Sequence, residues 1–169
     1  MNLDDYRSGS TEPWTVGVLR ALVLALPARV LIETGTFEGR TTRAVSEVLL
    51  PGAHLYSIEA DADRARAAAA ALADCPNVSV AHRDALSAMA EFADAAVDFV
   101  FLDDDHTADH VALELIEARR ILRPGGVCAV HDVLGPFGLD RLVRLAGGVC
   151  LPFAPLHVAG GLGLIVKRD

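Results

Sequence analysis

Cysteine, basic residues and long apolar runs are all scarce in this sequence, and each shortage excludes a class of protein. The three cysteines are odd in number and widely spaced, which argues against a disulfide or zinc framework and for a reducing compartment. The apolar runs stop short of the roughly eighteen residues that a membrane-spanning helix needs. The first residues show neither the basic nor the apolar segment of a signal peptide, so we expect a cytoplasmic protein.

Positive charge is outnumbered: the chain has 15 lysines and arginines against 23 aspartates and glutamates, a net charge of −8. An acidic chain is poorly suited to the phosphate backbone of a nucleic acid, so we expect no nucleic acid partner, and no membrane partner either. Hydrophobic residues make up 52% of the 169 residues, which is ample for one core. We predict a single domain over residues 13–169, preceded by a flexible arm over residues 1–12.

Short apolar runs alternate with helical patterns along most of the chain. Five runs, each followed by a helical pattern, are predicted strands: Val30–Glu33, His54–Glu59, Val78–Ala81, Val97–Leu102 and Val127–Val130. Two more predicted strands, Val149–Phe153 and Gly163–Lys167, are joined without a helix, which favours an antiparallel hairpin. The alternation predicts an α/β fold: a doubly wound, mostly parallel, seven-stranded sheet with an antiparallel C-terminal hairpin.

The predicted helices include Arg40–Leu50, Ala85–Phe92 and Thr107–Leu122. The last of these has apolar residues on one face and is the strongest helix prediction. A turn is predicted directly after it, at Arg123–Gly126, because that segment holds one proline and two glycines.

The first predicted strand runs into a glycine-rich corner, Glu33-Thr-Gly-Thr-Phe-Glu-Gly39, and then into a helix. Glycines let the backbone approach a ligand, and a helix start offers free N–H groups. The spacing is E-x-G-x-x-x-G rather than the G-x-G-x-x-G of dinucleotide sites. Because an acid at the strand end repels a pyrophosphate, the corner is predicted to bind a cationic or amine-bearing ligand, and an NAD-dependent dehydrogenase is disfavoured.

Acidic residues end most of the predicted strands. They are Glu33, Glu59, Asp84 and Asp103, and His131-Asp132 follow the fifth strand. The preference of acids for helix N-caps accounts for one or two of them, but not for a cluster whose members repel one another. Ligands bind outside the carboxyl ends of the strands in such a sheet, so this edge is the predicted site.

Taken together, these motifs resemble those of class I S-adenosylmethionine-dependent methyltransferases, over roughly residues 13–168. The corner matches the first motif of that family, Glu59 matches the acid that binds the ribose hydroxyls, and Asp84-Ala85 match the position that faces the adenine. A carboxylate at Glu59 suits a diol because it accepts two hydrogen bonds. The resemblance implies a Rossmann-like methyltransferase fold and this cofactor-binding set: Glu33, Gly35, Thr36, Gly39, Glu59, Asp84, Ala85 and Asp103.

A narrower resemblance, to the small metal-dependent O-methyltransferases of catechol and antibiotic-sugar type, rests on Asp103-Asp104-Asp105-His106 and His131-Asp132. It implies that Asp103 and Asp132 bind a divalent metal, with magnesium expected. His131 stands where that group has an acid, so it is either a third ligand or a substrate contact; as a ligand it would favour manganese, iron or zinc. His106 or Asp105 is implied as the general base, and Asp104 replaces a common glycine.

The resulting expectation is methyl transfer from S-adenosylmethionine to a hydroxyl of a small metabolite, in secondary metabolism, with a divalent metal assisting. Two alternatives stay open: a metal-independent N- or C-methyltransferase with His106 as base, and a cofactor-binding partner subunit without turnover. The other histidines, including His110 and His157, are expected to be structural or solvent-facing. Because the fold uses almost the whole chain, the pocket is either open to a bulky substrate or completed by a second subunit. We expect a homodimer, with Val149–Leu156 as its interface.

Overall fold

The computed structural model describes residues 11–152 and 160–169. Its strands, in chain order, are β1 (Val30–Thr34), β2 (His54–Glu59), β3 (Val78–His82), β4 (Val97–Leu102), β5 (Leu122–Val130), β6 (Val149–Leu151) and β7 (Leu162–Val166). Its helices are α1 (Pro13–Ala25), α2 (Arg40–Ser46), α3 (Ala62–Ala71), α4 (Ala85–Met89), α5 (Ala108–Ile121) and α6 (Leu139–Leu145).

These strands form one seven-stranded sheet in the order β3-β2-β1-β4-β5-β7-β6. Strands β1 to β5 pair in parallel, whereas β7 is antiparallel to both β5 and β6. The prediction of a doubly wound, mostly parallel sheet with an antiparallel C-terminal pair is therefore confirmed. The strand order reverses between β1 and β4, and in such sheets the crevice at this reversal is where ligands bind.

Each face of the sheet has its own apolar core, because alternate residues of a strand point to opposite faces. On one face Ile32 packs in a cluster with Met89 of α4 and Ile121 of α5. On the other face Leu31 packs in a cluster that includes Leu19 of α1. With both faces covered, the strand interiors are mostly apolar. The acids Glu33, Glu59 and Asp103 stand at or directly after the carboxyl ends of β1, β2 and β4.

The predicted turn at Arg123–Gly126 is wrong: the segment lies inside β5 as an irregular stretch of strand. The pairing with β4 shifts there, from Val97 opposite Leu122 to Phe99 opposite Val127. The segment stays in the sheet because it is hydrogen-bonded beside β7: Gly125 N–H donates to the Lys167 carbonyl and Lys167 N–H donates to the Gly126 carbonyl, each at 2.9 Å. Glycine at 125, with φ +79°, permits the bulge.

Two helices are shorter than predicted: α2 does not reach Leu50 and α4 does not reach Phe92. Beyond each helix the chain continues in tighter i→i+3 bonds. Leu49 N–H donates to the Ser46 carbonyl at 3.3 Å, and Phe92 N–H donates to the Met89 carbonyl at 3.1 Å. Such bonds satisfy the last carbonyls of a helix while ending its regular winding.

Some predictions fall outside the described residues. These are the arm over residues 1–10, His157, and the last part of the Val149–Leu156 interface. The arm's final two residues, Thr11 and Glu12, are described, and both are buried. Within the described part of the chain, no helix is long and apolar enough to span a membrane.

Candidate active site

A cleft of about 810 Å³ opens at the carboxyl ends of the parallel strands. Most of the predicted site residues line it: Gly35, Glu59, Asp84, Ala85, Asp103, Asp105, His106, His131 and Asp132. The remaining three, Glu33, Thr36 and Gly39, belong to the corner between β1 and α2. The fold therefore brings most of the predicted cofactor set into one cleft with Asp105, His106, His131 and Asp132, at the edge of the sheet where the strand-end pattern placed them.

Gly35 joins the two sets, because it is the point at which the corner after β1 meets the end of β4. Its φ is +83°, and a Cβ there would lie 2.2 Å from the carbonyl oxygen of Asp103, so only glycine fits. Gly39 also has a positive φ, +74°, and a Cβ there would lie 2.9 Å from the Leu72 side chain. Packing alone requires both glycines, before any ligand is considered.

Glu59 holds the β1 and β2 corners together at the floor of the cleft. One oxygen of its carboxylate accepts from the Phe37 N–H at 2.9 Å, and the other accepts from the Asp61 N–H at 3.0 Å. Asp61 in turn caps α3 through bonds from two backbone N–H groups. Each Glu59 oxygen keeps a lone pair for a ligand donor, so its predicted role as the ribose acceptor stays available.

Glu33 is directed beneath the cleft. Its carboxylate accepts hydrogen bonds from the Thr42 and Ser57 hydroxyls, the latter at 2.6 Å, and only 3% of the residue is exposed. Burial raises the pKa of Glu33 to about 7, against the lowering effect of these two bonds. Thr36 joins the same network, with its hydroxyl 2.6 Å from that of Ser57. The visible role of this pair is to fix the corner; direct contact with the cofactor stays a prediction.

Asp84 and Asp105 are exposed and start helical segments. Asp84 accepts from the Ser87 N–H at 2.8 Å as the N-cap of α4, with Ala85 buried behind it. Asp105 accepts from the Thr107 N–H at 2.8 Å, immediately before α5. Both therefore serve as helix-start residues, in addition to lining the cleft.

Asp103 and His131 form the centre of a buried ion network. His131 Nδ1 lies 2.7 Å from Asp103 Oδ1, and His131 Nε2 lies 2.7 Å from Glu12 Oε2. The Thr11 hydroxyl donates to the other Asp103 oxygen at 2.8 Å. Burial lowers the pKa of His131, but the two carboxylates outweigh it and raise that pKa to about 10. The ring is then a cation that bridges two acids, with both nitrogens engaged.

His106 lies beside this network and points between two carboxylates. Its Nε2 is 3.5 Å from Asp103 Oδ1 and 3.6 Å from Asp132 Oδ2. The atom is buried, and no hydrogen-bond partner for it exists in residues 11–152 and 160–169. The Asp103 carboxylate, followed by that of Asp132, raises the pKa of His106 against the lowering effect of burial. Asp132 itself has φ +52°, a strained value that is typical of functional sites.

The donor chemistry of this group suits a divalent cation. One ligand atom each of Asp103, His106 and His131 lie within 4.8 Å of one another, and so do those of Glu12, His131 and Asp132. Asp103 and Asp132, both predicted as ligands, each place an oxygen near His106 Nε2, at 3.5 and 3.6 Å. His131 belongs to both groups, but its two ring nitrogens already contact the carboxylates of Asp103 and Glu12, and its ligand role stays a prediction.

Two residues of the network were missed by sequence reasoning: Thr11 and Glu12 were assigned to the arm. The Glu12 carboxylate also accepts from the Thr15 hydroxyl at 3.1 Å and is 3% exposed. Its partner His131 lies 119 positions away in the chain. A polar pair before a helix usually indicates a cap, and nothing in its spacing shows which strand end it reaches.

Comparison with known proteins gives the site a context. A family model described as a methyltransferase domain matches residues 32–133, more than half of the chain. This range holds the last three residues of β1, the whole of β2 to β5 and every predicted site residue. A search of curated proteins returned no match.

Solved structures share the whole architecture at low sequence identity. An O-methyltransferase from Bacillus cereus, solved in complex with SAH, is 20% identical with a TM-score of 0.79, covering 97% of this chain and 86% of that one. TomG from Streptomyces achromogenes, an O-methyltransferase involved in tomaymycin synthesis and solved with SAM, is 23% identical with a TM-score of 0.78, covering 98% and 85%. Cofactor-bound Rv0187 from MTB is 20% identical with a TM-score of 0.82, covering 98% and 85%.

Proposed function

The chain belongs to the methyltransferase-domain family, which confirms its resemblance to class I S-adenosylmethionine-dependent methyltransferases, and on this premise we propose that it methylates a hydroxyl of a small molecule with the help of a divalent metal. That it is a methyltransferase follows from the family. The acceptor atom, the metal and the roles of individual residues are the proposal. The observation that carries it is the buried Nε2 of His106, unpartnered among the described residues, between Asp103 and Asp132.

Asp103 and Asp132 would hold the metal, and a bound divalent cation lowers the pKa of an acceptor hydroxyl. His106 accepts the hydroxyl proton at Nε2, because that atom has no hydrogen-bond partner among the described residues and the nearby carboxylates stabilise the resulting imidazolium. His131 positions the Asp103 carboxylate through its Nδ1, and Glu12 contacts Nε2 on the other side of the His131 ring. Asp105, the other candidate base, is held by the Thr107 N–H and is the weaker choice.

The cofactor is proposed to lie along the cleft from Glu59 to Asp103. Glu59 accepts from the ribose hydroxyls and Asp84 faces the adenine amine, while Gly35 leaves room for the backbone to approach. Phe37 adds an aromatic wall to this part of the cleft, with the Arg64 guanidinium 5.2 Å from its ring centroid. The SAM and SAH named for two of the solved relatives support this assignment.

The acceptor is proposed to enter beside Phe137, in the loop before α6. Its ring centroid lies 6.4 Å from that of His106, and the residue is 47% exposed, as is Leu134 on the same loop. An exposed apolar wall next to the proposed base suits a small hydroxylated molecule with an apolar body. The synthesis role printed for TomG is in keeping with an acceptor from secondary metabolism.

A metal-independent N- or C-methyltransferase is the second candidate, and one observation favours it. Asp103 already has two close partners, the His131 ring at 2.7 Å and the Thr11 hydroxyl at 2.8 Å, so its charge is balanced without a metal. His106 would then act as the base alone. The third alternative, a cofactor-binding subunit without turnover, is disfavoured by membership of the methyltransferase-domain family.

Chelation tests the proposal. Methyl transfer from SAM to a panel of catechols, phenols and polyols is measured on chelator-treated enzyme, then after addition of Mg²⁺ or Mn²⁺. We expect turnover to be lost on chelation and restored by the metal. Full turnover in the chelator would support the metal-independent candidate, and tight SAH binding with no turnover on any acceptor would support the third.

The homodimer is also retained as a proposal, through the β6 edge of the sheet. Val149 on β6 is 57% exposed and Leu145 at the end of α6 is 75% exposed. Light scattering tests it directly, and a monomer at micromolar concentration would contradict it.

A further inference from the structure

Glu114 is the one charged residue whose side chain is completely buried among the described residues, and the proposed reaction does not use it. It lies on α5 with a side-chain exposure of 0%. Neither oxygen of its carboxylate has a hydrogen-bond partner in the part of the chain that the structure describes. Native proteins rarely leave a buried carboxylate in this state, so its presence calls for a physical reason.

His110 lies one turn earlier on the same helix and faces this carboxylate. Its Nε2 is 3.8 Å from Glu114 Oε2 and 3.1 Å from Asp104 Oδ2. The second oxygen of Asp104 is buried and, within residues 11–152 and 160–169, also lacks a hydrogen-bond partner. One imidazole nitrogen thus lies within 4 Å of both carboxylates. One oxygen of Asp104 and both oxygens of Glu114 are buried without a hydrogen-bond partner among the described residues.

The spacing of these atoms suits coordination of one ion. Ligands at about 2.1 Å from a tetrahedral zinc ion lie roughly 3.4 Å from one another. The measured 3.1 and 3.8 Å fall on either side of that value, and all three ligand atoms lie within 4.8 Å of one another. A mixed nitrogen and oxygen set favours zinc-like transition ions over magnesium or calcium.

We propose that Asp104, His110 and Glu114 form a second cation site, selective for a divalent transition ion and separate from the Asp103–Asp132 pair. Asp104 and His110 line the cleft, which gives an ion a path from solvent, and Glu114 closes the site from below. The ion ties the loop after β4 to α5. It therefore also positions the backbone of Asp103, the neighbour of Asp104 in the chain.

This site gives a role to two residues that have none in the proposed methyl transfer, Asp104 and His110. Asp104 stands where the resembling enzymes commonly have glycine, and His110 was expected to be structural or solvent-facing. Burial, and then the Asp104 carboxylate, raise the pKa of Glu114.

Cobalt titration tests the site without relying on methyl transfer. The chelator-treated full chain carrying Asp103→Asn is titrated with Co²⁺, and the visible absorption of a coordinated ion is followed. The Asp103 substitution weakens the proposed catalytic site, so the signal reports the second one. We expect one equivalent to bind, and Glu114→Gln in this background to weaken binding by about 100-fold or more, because one of three protein ligands is lost.

Asp109→Asn is the matched control, since Asp109 is an exposed carboxylate beside His110, and its binding should match the parent. His110→Gln should weaken binding as Glu114→Gln does, and a cooperative melt of each ion-free variant shows that it folds. Absence of Co²⁺ binding in the Asp103→Asn chain, or unchanged binding in both ligand variants, would overturn the proposal. Metal-independent turnover with an intact cobalt site would instead contradict only the proposed function.

Discussion

The two ends of the cleft are built on different kinds of contact. The proposed cofactor end holds Glu59 and Asp84. The Glu59 carboxylate accepts hydrogen bonds from backbone N–H groups of the neighbouring corners, and Asp84 accepts one from the backbone at the start of its own helix. At the acid–histidine end, Asp103 accepts a hydrogen bond from the Thr11 side chain, 92 positions away, and His131 contacts the Glu12 side chain, 119 positions away. The first end is thus fixed by local backbone geometry, and the second by charges brought together from distant parts of the chain.

The difference has a chemical consequence. Hydrogen bonds from backbone N–H groups do not depend on which side chains lie nearby, so the contacts at the first end should tolerate substitutions elsewhere. The carboxylates at the other end are balanced by imidazoles, so protons, metals and single substitutions should alter that end far more. Substitutions should therefore be able to change turnover without changing SAH affinity, and the reverse.

Gly35→Ala should have the largest effect, because this position joins the two ends. The new Cβ would lie 2.2 Å from the Asp103 carbonyl oxygen, in a residue with φ +83°. We expect a loss of about 3 kcal/mol or more of unfolding free energy, or failure to fold, measured by urea denaturation. Gly138→Ala is the control: its φ is +72° with no atom within 4 Å of a Cβ, so backbone strain alone should cost about 1 kcal/mol. Equal losses in the two variants would show that the close approach is unimportant.

Asp132→Asn should abolish catalysis while sparing the cofactor. It removes one carboxylate beside His106 Nε2, and we expect turnover to fall by about 100-fold or more, with SAH affinity within about threefold of the parent. Asp105→Asn serves as its counterpart, because Asp105 is exposed and bonded to the Thr107 N–H. If Asp105→Asn were the more damaging of the two, the base would be assigned to the wrong residue.

Glu59→Gln should weaken cofactor binding while leaving turnover nearly unchanged. A charged acceptor for the ribose hydroxyls becomes a neutral one, at a cost of about 1.5–3 kcal/mol, or roughly tenfold to a hundredfold in SAH affinity. Turnover at saturating SAM should stay within a few-fold of the parent. Calorimetry and steady-state kinetics measure the two quantities, and an unchanged SAH affinity would remove Glu59 from the cofactor site.

Of these substitutions, Glu33→Gln should change turnover least. Its main effect should be on how the free energy of unfolding varies with pH. Burial raises the pKa of Glu33 from 4.5 to about 7, so the folded state binds this proton more tightly than the unfolded state. The associated stability is fully present below pH 4.5 and is lost as the pH rises through about 7. Thermal melts between pH 5 and 8 should show a decline in the parent that is reduced in Glu33→Gln; parallel curves would mean that Glu33 ionises normally.

The contrast between the two ends also explains what could be predicted from sequence. The β-α alternation is a local pattern, so the sheet and its parallel strands were predicted correctly. The corner Glu33–Gly39 is local as well, and its role in cofactor binding stays a prediction. The strand ends could be placed at one edge because parallel strands share a direction. Apart from the ends of α2 and α4, the main error arose at Arg123–Gly126, where hydrogen bonds beside β7 keep a glycine-rich segment in the sheet despite its turn-like composition.

Side-chain direction could not be predicted in the same way. Glu33 ends its strand like Glu59, yet its carboxylate is satisfied beneath the cleft by Thr42 and Ser57. The contact between Glu12 and His131 could not be predicted, because it depends on how α1 packs against the sheet. His131 lies at the carboxyl ends of the strands, as predicted. Its contacts could not be predicted, because the orientation of its ring depends on Glu12.

The central claim is that the acid–histidine end carries the chemistry and the cofactor end binds independently of it. The most direct test is calorimetric titration of SAH into chelator-treated and Mg²⁺-restored enzyme, with methyl transfer measured on the same two samples. The account predicts the same SAH dissociation constant in both samples, with turnover only in the restored one. Equal turnover in both samples, or SAH binding that itself requires the metal, would contradict it.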